Sequence, residues 1–296
     1  MIRAVRPLSL FHRMGAIRSA AILVNGQFSS SVSAADRGLS YGDGLFETIQ
    51  IRKGRALLWD DHIQRLHHGC IRLGISTEGL RQRIEADFQV LLTTVDNAKY
   101  AHGVFKVIVT RGEGLRGYFP TPDNPTTTVS QISSAPDWSQ QSRHGISVRT
   151  CKTPLSINPL LAGIKHLNRL EQVIARGEWD DPFIAEGLMM DTEGFLVEGT
   201  MSNLFFIRDS VLHTPLLDRC GIVGVVRQAV LKIAQKEGIQ TREERYRLDD
   251  LLQSTEVFLC NSVINICPIV RLGNTTWPVG RLTQTLQSLL EKEYCV

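Results

Sequence analysis

The sequence predicts an α+β protein of two domains, built from mixed sheets with flanking helices, and three observations predict it. Turn dipeptides such as Asn25-Gly26 and Lys53-Gly54 sit between short apolar runs, so hairpins dominate the strand connections. Apolar residues at helical spacing are interspersed among those runs without the regular alternation of a doubly wound parallel sheet. A chain of 296 residues, 43% hydrophobic, is long enough for two modest cores.

Residues 1–18 are rich in Arg and contain no acid, the composition of an organelle transit peptide, but so short a pattern reads more simply as an N-terminal extension, with Met14 an alternative start. A small N-terminal α/β domain then spans 19–135. It opens on the hairpin Ile22-Leu23-Val24 to Gln27-Phe28 and continues with strands over 45–52 and 55–59 around Lys53-Gly54. Asp60 is a good N-cap for a helix carrying Ile63, Leu66, Cys70 and Leu73, which Gly74 stops. A second helix starts near Thr77 and carries Leu80, Ile84, Phe88 and Leu91. Val104 to Thr110 is a strand, and Pro120, Pro122 and Pro125 make the stretch after it a loop. The larger C-terminal domain, 136–296, follows a Ser/Gln/Pro-rich boundary. It holds a strand at 146–150, a helix after Lys165, a strand meander over 188–214, a helix from about 225 to 237 and strands near Val257 and Ile269.

Composition excludes several function classes. With 33 basic against 30 acidic residues the net charge is +3, so no long-range field favours nucleic acid or a membrane surface. No run approaches the ~18 apolar residues of a membrane helix. Six cysteines without a C-x-x-C pair argue against disulfides and thiolate zinc, and a reducing cytoplasm is the expected location. His62 and His67 lie about 140° apart at ~3.6 residues per turn, so they share no metal; His62, His67 and His68 read as surface or capping residues, and no metal site is expected. Gly112-x-Gly114-x-x-Gly117 matches the dinucleotide fingerprint, but Tyr118-Phe119-Pro120 follows where a helix is required, so it reads as a glycine loop.

The segments that carry chemistry are Asp36-Arg37-Gly38-Leu39-Ser40-Tyr41-Gly42-Asp43-Gly44-Leu45-Phe46-Glu47-Thr48, His62-Ile63-Gln64-Arg65-Leu66, Gly163-Ile164-Lys165-His166-Leu167-Asn168-Arg169-Leu170-Glu171 and Glu198-Gly199-Thr200-Met201-Ser202-Asn203-Leu204-Phe205. In this order and spacing they resemble the fold-type IV pyridoxal 5′-phosphate (PLP) enzymes, a family that includes branched-chain and D-amino-acid aminotransferases and 4-amino-4-deoxychorismate lyase. The similarity runs from about Asn25 to near the C-terminus.

The resemblance implies a two-domain D-amino-acid aminotransferase-like fold whose C-terminal domain binds PLP, with Lys165 carrying the cofactor as a Schiff base and acting as the base. A partly buried lysine suits that work, because desolvation brings its pKa toward neutrality. Glu198 matches the acid that keeps the pyridine nitrogen protonated. Arg65 matches the phosphate arginine, Val225 and Val226 the backbone donors at a helix start, and Ser262 with Val263 a second phosphate-binding turn. Taken singly, each has a plainer reading: a solvated lysine, a strand-end glutamate, a helix-surface ion pair, glycines on turn duty.

Within the family, Lys165 to Glu171 together with Arg111-Gly112-x-Gly114-x-Arg116-Gly117-Tyr118 look most like the 4-amino-4-deoxychorismate lyases. Branched-chain aminotransferases place a tyrosine where this chain has Leu170. The lyase reaction turns aminodeoxychorismate into 4-aminobenzoate and pyruvate, on the way to folate. Its substrate carries two carboxylates, so Arg111 and Arg116 are candidate clamps, or else solvated loop charges. Thr48 is placed to assist proton transfer, although a strand threonine needs no function. The family further implies a homodimer with the site at the domain and subunit boundary and Tyr41 directed toward it. An aminotransferase acting on D- or branched-chain amino acids, or a non-catalytic PLP-binding protein, are the alternatives.

Overall fold

The computed structural model describes residues 21–94, 102–120 and 124–294; the expected extension at 1–18 lies outside them. The N-terminal half forms a six-stranded sheet of β1 (Ile22–Val24), β2 (Gln27–Phe28), β3 (Gly44–Arg52), β4 (Arg55–Ala56), β5 (His102–Thr110) and β6 (Thr127–Ser134). The order is β2-β1-β6-β5-β3-β4, with every neighbouring pair antiparallel. Helices α1 (Arg37–Tyr41), α2 (Trp59–Leu73) and α3 (Leu80–Thr94) belong to the same half.

Alternation along β3 decides what faces what. Leu45, Ile49 and Ile51 are buried in one core with Ile63, Leu66 and Cys70 of α2 and Leu80, Ile84, Phe88 and Leu91 of α3. Phe46, Thr48 and Gln50 occupy the other face and are half-buried. The strand expected over 55–59 pairs only through Arg55 and Ala56, because Leu58 turns the chain with φ 53° and α2 begins at Trp59, one residue before the expected cap. Asp60 and Asp61 fall in the first helical turn instead, where their charge complements the helix dipole. Gly74, at φ 64°, ends α2 as expected, its N–H donating to the carbonyls of Cys70 and Ile71.

The second half forms a nine-stranded mixed sheet: β7 (Ile146–Thr150), β8 (Ile184–Met190), β9 (Leu196–Gly199), β10 (Asn203–Arg208), β11 (Val211–Pro215), β12 (Thr241–Glu244), β13 (Glu256–Asn261), β14 (Asn265–Leu272) and β15 (Thr275–Thr276). The order is β12-β11-β10-β13-β14-β7-β8-β9, with β15 on β14. Antiparallel pairs predominate, but β7–β8, β7–β14 and β11–β12 are parallel. The pair Glu198↔Asn203 joins β9 back to β10, closing β10-β13-β14-β7-β8-β9 into a ring.

Successive residues of β10 and β13 serve opposite cores. Leu204, Phe206, Val257 and Leu259 pack with Val148, Leu188 and Ile269. Phe205, Ile207, Phe258 and Cys260 pack with helices α6 (Val225–Lys236) and α8 (Arg281–Tyr294). The shorter helices α4 (Ser139–His144), α5 (Leu170–Arg176) and α7 (Leu248–Leu252) complete the half. Among the described residues no helix is long and apolar enough to cross a membrane, and no cluster of His, Cys, Asp and Glu could hold a metal ion.

Candidate active site

The segment around Lys165 lies along the first half of β3, where β4 leaves the strand edge unpaired. Phe46 N–H donates to the Lys165 carbonyl at 3.0 Å and Leu167 N–H to the Gly44 carbonyl at 3.0 Å, with His166 bridged to Leu45. These bonds fix the backbone so that Lys165 Nζ lies 4.2 Å from the centroid of the Phe46 ring, a cation–π contact. Burial lowers the Lys165 pKa to about 8; Arg65 and Arg169 push the same way, while Glu47 and Glu198 oppose them. Lys106 Nζ lies 5.6 Å from the same ring, so Phe46 faces two ammonium groups.

The other end of the segment is tied to the loop before α6. Gly163 N–H donates to the Gly221 carbonyl at 2.9 Å and Val223 N–H to the Gly163 carbonyl at 3.1 Å. Asn203 Nδ2 donates to the Ile222 carbonyl and Ile222 N–H donates to Glu198 Oε2 at 2.9 Å, which aims that carboxylate across the loop. Gly221 has φ 82°, and a Cβ there would stand 2.7 Å from Val197 and 3.4 Å from Glu198 Oε2, so a side chain would push the loop away from the carboxylate. Glu198 is buried; burial raises its pKa to about 7 against the pull of the Ile222 N–H, Arg169 and Lys165. Behind it, buried Glu186 accepts from Gly187, Thr200, Met201 and Ser202, bracing the turn between β9 and β10.

Arg65 projects from α2 toward the start of α6. Its Nε and Nη2 grip Glu47 at 2.8 and 2.5 Å, and Nη1 donates to the Val223 carbonyl at 3.0 Å. Glu47 also meets His62 Nδ1 at 2.7 Å, and His62 Nε2 lies 3.2 Å from Ser262 Oγ. Burial alone would raise the Glu47 carboxyl, but Arg65 and His62 beside it hold it at about 2. His62 is fully buried in this network, which corrects its reading as a surface or capping residue; His67 and His68 are exposed. Val225 and Val226 open α6 after Gly224, and no side chain caps the helix start, so its first N–H groups stay free for an anion.

Other expected site residues fare differently. Val263 N–H is spent on Asn261 Oδ1 at 2.8 Å, so the turn presents the Ser262 hydroxyl and Val263 is no free donor. Arg111 is buried: its guanidinium holds Asp43 at 2.8 and 3.1 Å and the carbonyls of Leu73 and Gly74 at 2.6 Å each, which corrects its reading as a substrate clamp, since most of its donors are occupied. Arg116 is exposed. Arg37, unflagged by the sequence, pairs with Asp43 and donates to the carbonyls of Gly117 and Tyr118, and its guanidinium lies over Tyr41. Tyr41 is partly exposed and packs 5.3 Å from Tyr118, so the glycine loop folds onto α1, and among the described residues no helix opens directly after Gly117. Thr48 lies between Phe46 and Gln50 on the Lys165 side of β3, opposite Lys106.

Sequence reasoning missed Glu47, Arg37 and Arg169. An acid at the third place of the buried register Leu45-x-Glu47-x-Ile49-x-Ile51 is a signal that could have found Glu47, since a carboxylate on a core face needs a buried partner. Arg169 Nη2 lies against the His166 ring while its Nε is buried without a partner, beside the charges of Lys165 and Glu198.

Comparison with known proteins places this geometry. An aminodeoxychorismate lyase of Vibrio harveyi is 35% identical over 272 residues, covering 90% of this chain and 98% of that protein. A putative branched-chain-amino-acid aminotransferase of Methanocaldococcus jannaschii is 30% identical, covering 90% and 93%. Among solved structures, 4-amino-4-deoxychorismate lyase from Pseudomonas aeruginosa superposes with a TM-score of 0.85 at 41% identity, covering 92% of this chain and 98% of that one. The sequence profile of the family described as amino-transferase class IV matches residues 44–272, which span β3 to β14 and therefore every residue of the constellation around Lys165, and the chain belongs to that family.

Proposed function

We propose that this chain is a PLP-dependent aminodeoxychorismate lyase that releases pyruvate and 4-aminobenzoate, a step toward folate. The observation that carries the reading is the convergence of a buried amine near neutrality, a buried carboxylate and an arginine beside an uncapped helix start, in a chain similar to lyases over nine-tenths of its length. The donors fit PLP. Arg65, Ser262 and the N–H groups of Val225 and Val226 suit its phosphate, Glu198 its ring nitrogen, and the unpartnered Arg169 Nε supplies a further donor beside Lys165.

When bound, PLP supplies an electron sink for charge left at the carbon bearing the substrate's amino group. The chain supplies the rest. Lys165 Nζ, held near neutrality by burial, removes the proton from that carbon. Glu198 holds a proton at the ring nitrogen, and Phe46 packs against the buried lysine amine. Thr48 is placed beside the same face of β3 to pass the proton on, and exposed Arg116 with Tyr41 is available to a substrate carboxylate.

The protein acts as a homodimer in the cytoplasm on this reading. Leu170, Val173 and Ile174 present an exposed apolar face of α5, with Leu160 and Phe183 also exposed, which a second copy would cover. The five cysteines among the described residues are free and buried, which suits a reducing compartment. The 30% identity to a putative aminotransferase keeps one competing activity in view. Purified protein with PLP should consume aminodeoxychorismate and leave alanine plus 2-oxoglutarate untouched; the reverse outcome makes it an aminotransferase.

A further inference from the structure

The phosphate end of the site has an unusual charge balance. Arg65 is committed to Glu47 through two of its nitrogens, and the Glu47 carboxylate is fully buried, so the pair contributes no net charge. A phosphate dianion arriving there finds helix N–H dipoles, the Ser262 hydroxyl and the two Arg65 N–H groups that Glu47 and Val223 leave unused, but no uncompensated positive charge. The residue that joins these groups is His62, whose two nitrogens are both engaged: Nδ1 faces Glu47 at 2.7 Å and Nε2 faces Ser262 Oγ at 3.2 Å.

The hydrogen-bond direction follows from the acceptor. Glu47 is anionic and can only accept, so the proton on Nδ1 is fixed and a neutral His62 must accept at Nε2. Ser262 then donates its only hydroxyl proton to His62 and turns lone pairs toward the phosphate, which also only accepts. With a proton on Nε2 the bond reverses: His62 donates to Ser262 Oγ and the hydroxyl proton is free for the phosphate.

We infer that His62 takes up a proton when the phosphate dianion binds, and that the resulting imidazolium acts through Ser262 as a positioning residue for the cofactor's phosphate. The proton comes from solvent and ends on Nε2; no other bond changes. The groups that face His62 fit this role. Glu47 on β3 favours the charged ring, Arg65 on its own helix and Lys165 on the neighbouring segment oppose it, and Gln50, Ser262, Asn265 and Tyr294 line the cavity beside it without a formal charge. Burial lowers the His62 pKa in the free site, so the ring starts neutral at pH 7.5 and the dianion is the group that tips it.

This inference rests on the cofactor reading, and the test separates the two. Pyridoxine 5′-phosphate, which carries the phosphate but no aldehyde to engage Lys165, is titrated calorimetrically into cofactor-free protein at pH 7.5 in buffers of different ionisation enthalpy, with unphosphorylated pyridoxine as the control. Wild type should take up about one proton per phosphate bound, because binding raises the His62 pKa through the working pH. His62→Gln, checked for folding by thermal denaturation, should take up none and bind the phosphate ester at least about tenfold more weakly, the usual loss when a supporting partner of a bound group is removed. Pyridoxine affinity should fall less than the ester's. Wild-type binding without proton uptake, uptake surviving in a folded His62→Gln, or equal losses for ester and pyridoxine would each overturn the inference. Failure of both the ester and PLP to bind wild type takes down the cofactor reading as well.

Discussion

Lys165 offers the sharpest test of the site, because its protonation can be followed without turnover. Its pKa is lowered from 10.5 to about 8, chiefly by burial. At pH 7 an amine at about 8 is roughly 10% neutral, whereas one at 10.5 is about 0.03% neutral, a ratio of roughly 300 in reactive form. The sign is fixed by the charge. Burial disfavours the ammonium, so lowering pH through about 8 protonates Lys165 and silences it as a nucleophile while exposed lysines are already silent. Limiting reductive methylation of cofactor-free protein across pH 6 to about 11, read by peptide mass spectrometry, should give Lys165 a midpoint near 8. Exposed Lys53 and Lys152 serve as internal references, and because each midpoint is independent of the plateau rate, slower access to the buried amine does not shift it.

The same measurement reports on Glu198, whose negative charge raises the Lys165 pKa. Glu198→Gln removes that charge, so the midpoint should move below that of wild type. If the Lys165 midpoint lay instead at the ordinary lysine value of about 10.4, the packing of Phe46 against its buried amine would not be desolvating it and its role as the base would have to be abandoned.

Other expectations follow from the same contacts. Lys165→Ala should fold but lose the visible absorbance of lysine-bound cofactor, and borohydride reduction of wild type should label Lys165 alone; label on Lys106, which shares the Phe46 ring, would reassign the site. Glu198→Gln should bind PLP and lose about tenfold or more in kcat with a smaller change in PLP affinity, because a neutral amide cannot hold the ring nitrogen protonated; wild-type turnover would exclude Glu198 as the ring partner. Arg111→Met should cost about 3 kcal/mol and lower Tm by about 6 °C or more, since Asp43 loses a partner at 14% exposure. Arg116→Met should leave Tm unchanged and raise KM, so an unchanged KM would remove Arg116 from the substrate site.

What the sequence made legible was local. Asn25-Gly26, Gly74 and the helical spacing of Ile63, Leu66 and Cys70 each act over a few residues, and the structure places their hairpin, helix end and core face where that short-range chemistry demands. Lys165, Glu198 and Arg65 stood out for a different reason: their neighbours form motifs, and the fold brings the three charges within reach of one another. The parallel pairs β7–β8 and β7–β14, on which the ring depends, were not legible, since pairing between strands dozens of residues apart leaves no trace in either strand's own pattern.

Arg111 and His62 show why motif membership alone misassigns a role. Both stand in motifs, and both were read by residue type, an arginine as a clamp for carboxylates and a histidine among histidines as surface. Their roles are set by carboxylates remote in sequence, Asp43 for Arg111 and Glu47 for His62, which become neighbours only when β3 packs between β5 and α2. A buried charge must be paired wherever the fold delivers a partner. The sequence therefore carries the question, an acid on the apolar face of β3, while the answer depends on which basic groups α2 turns toward it: Arg65 and His62, three residues apart on one helical face. That pairing spends the charge of Arg65 before any ligand arrives, which is why the phosphate end of this site needs a second, switchable cation and why His62 is the group placed to become it.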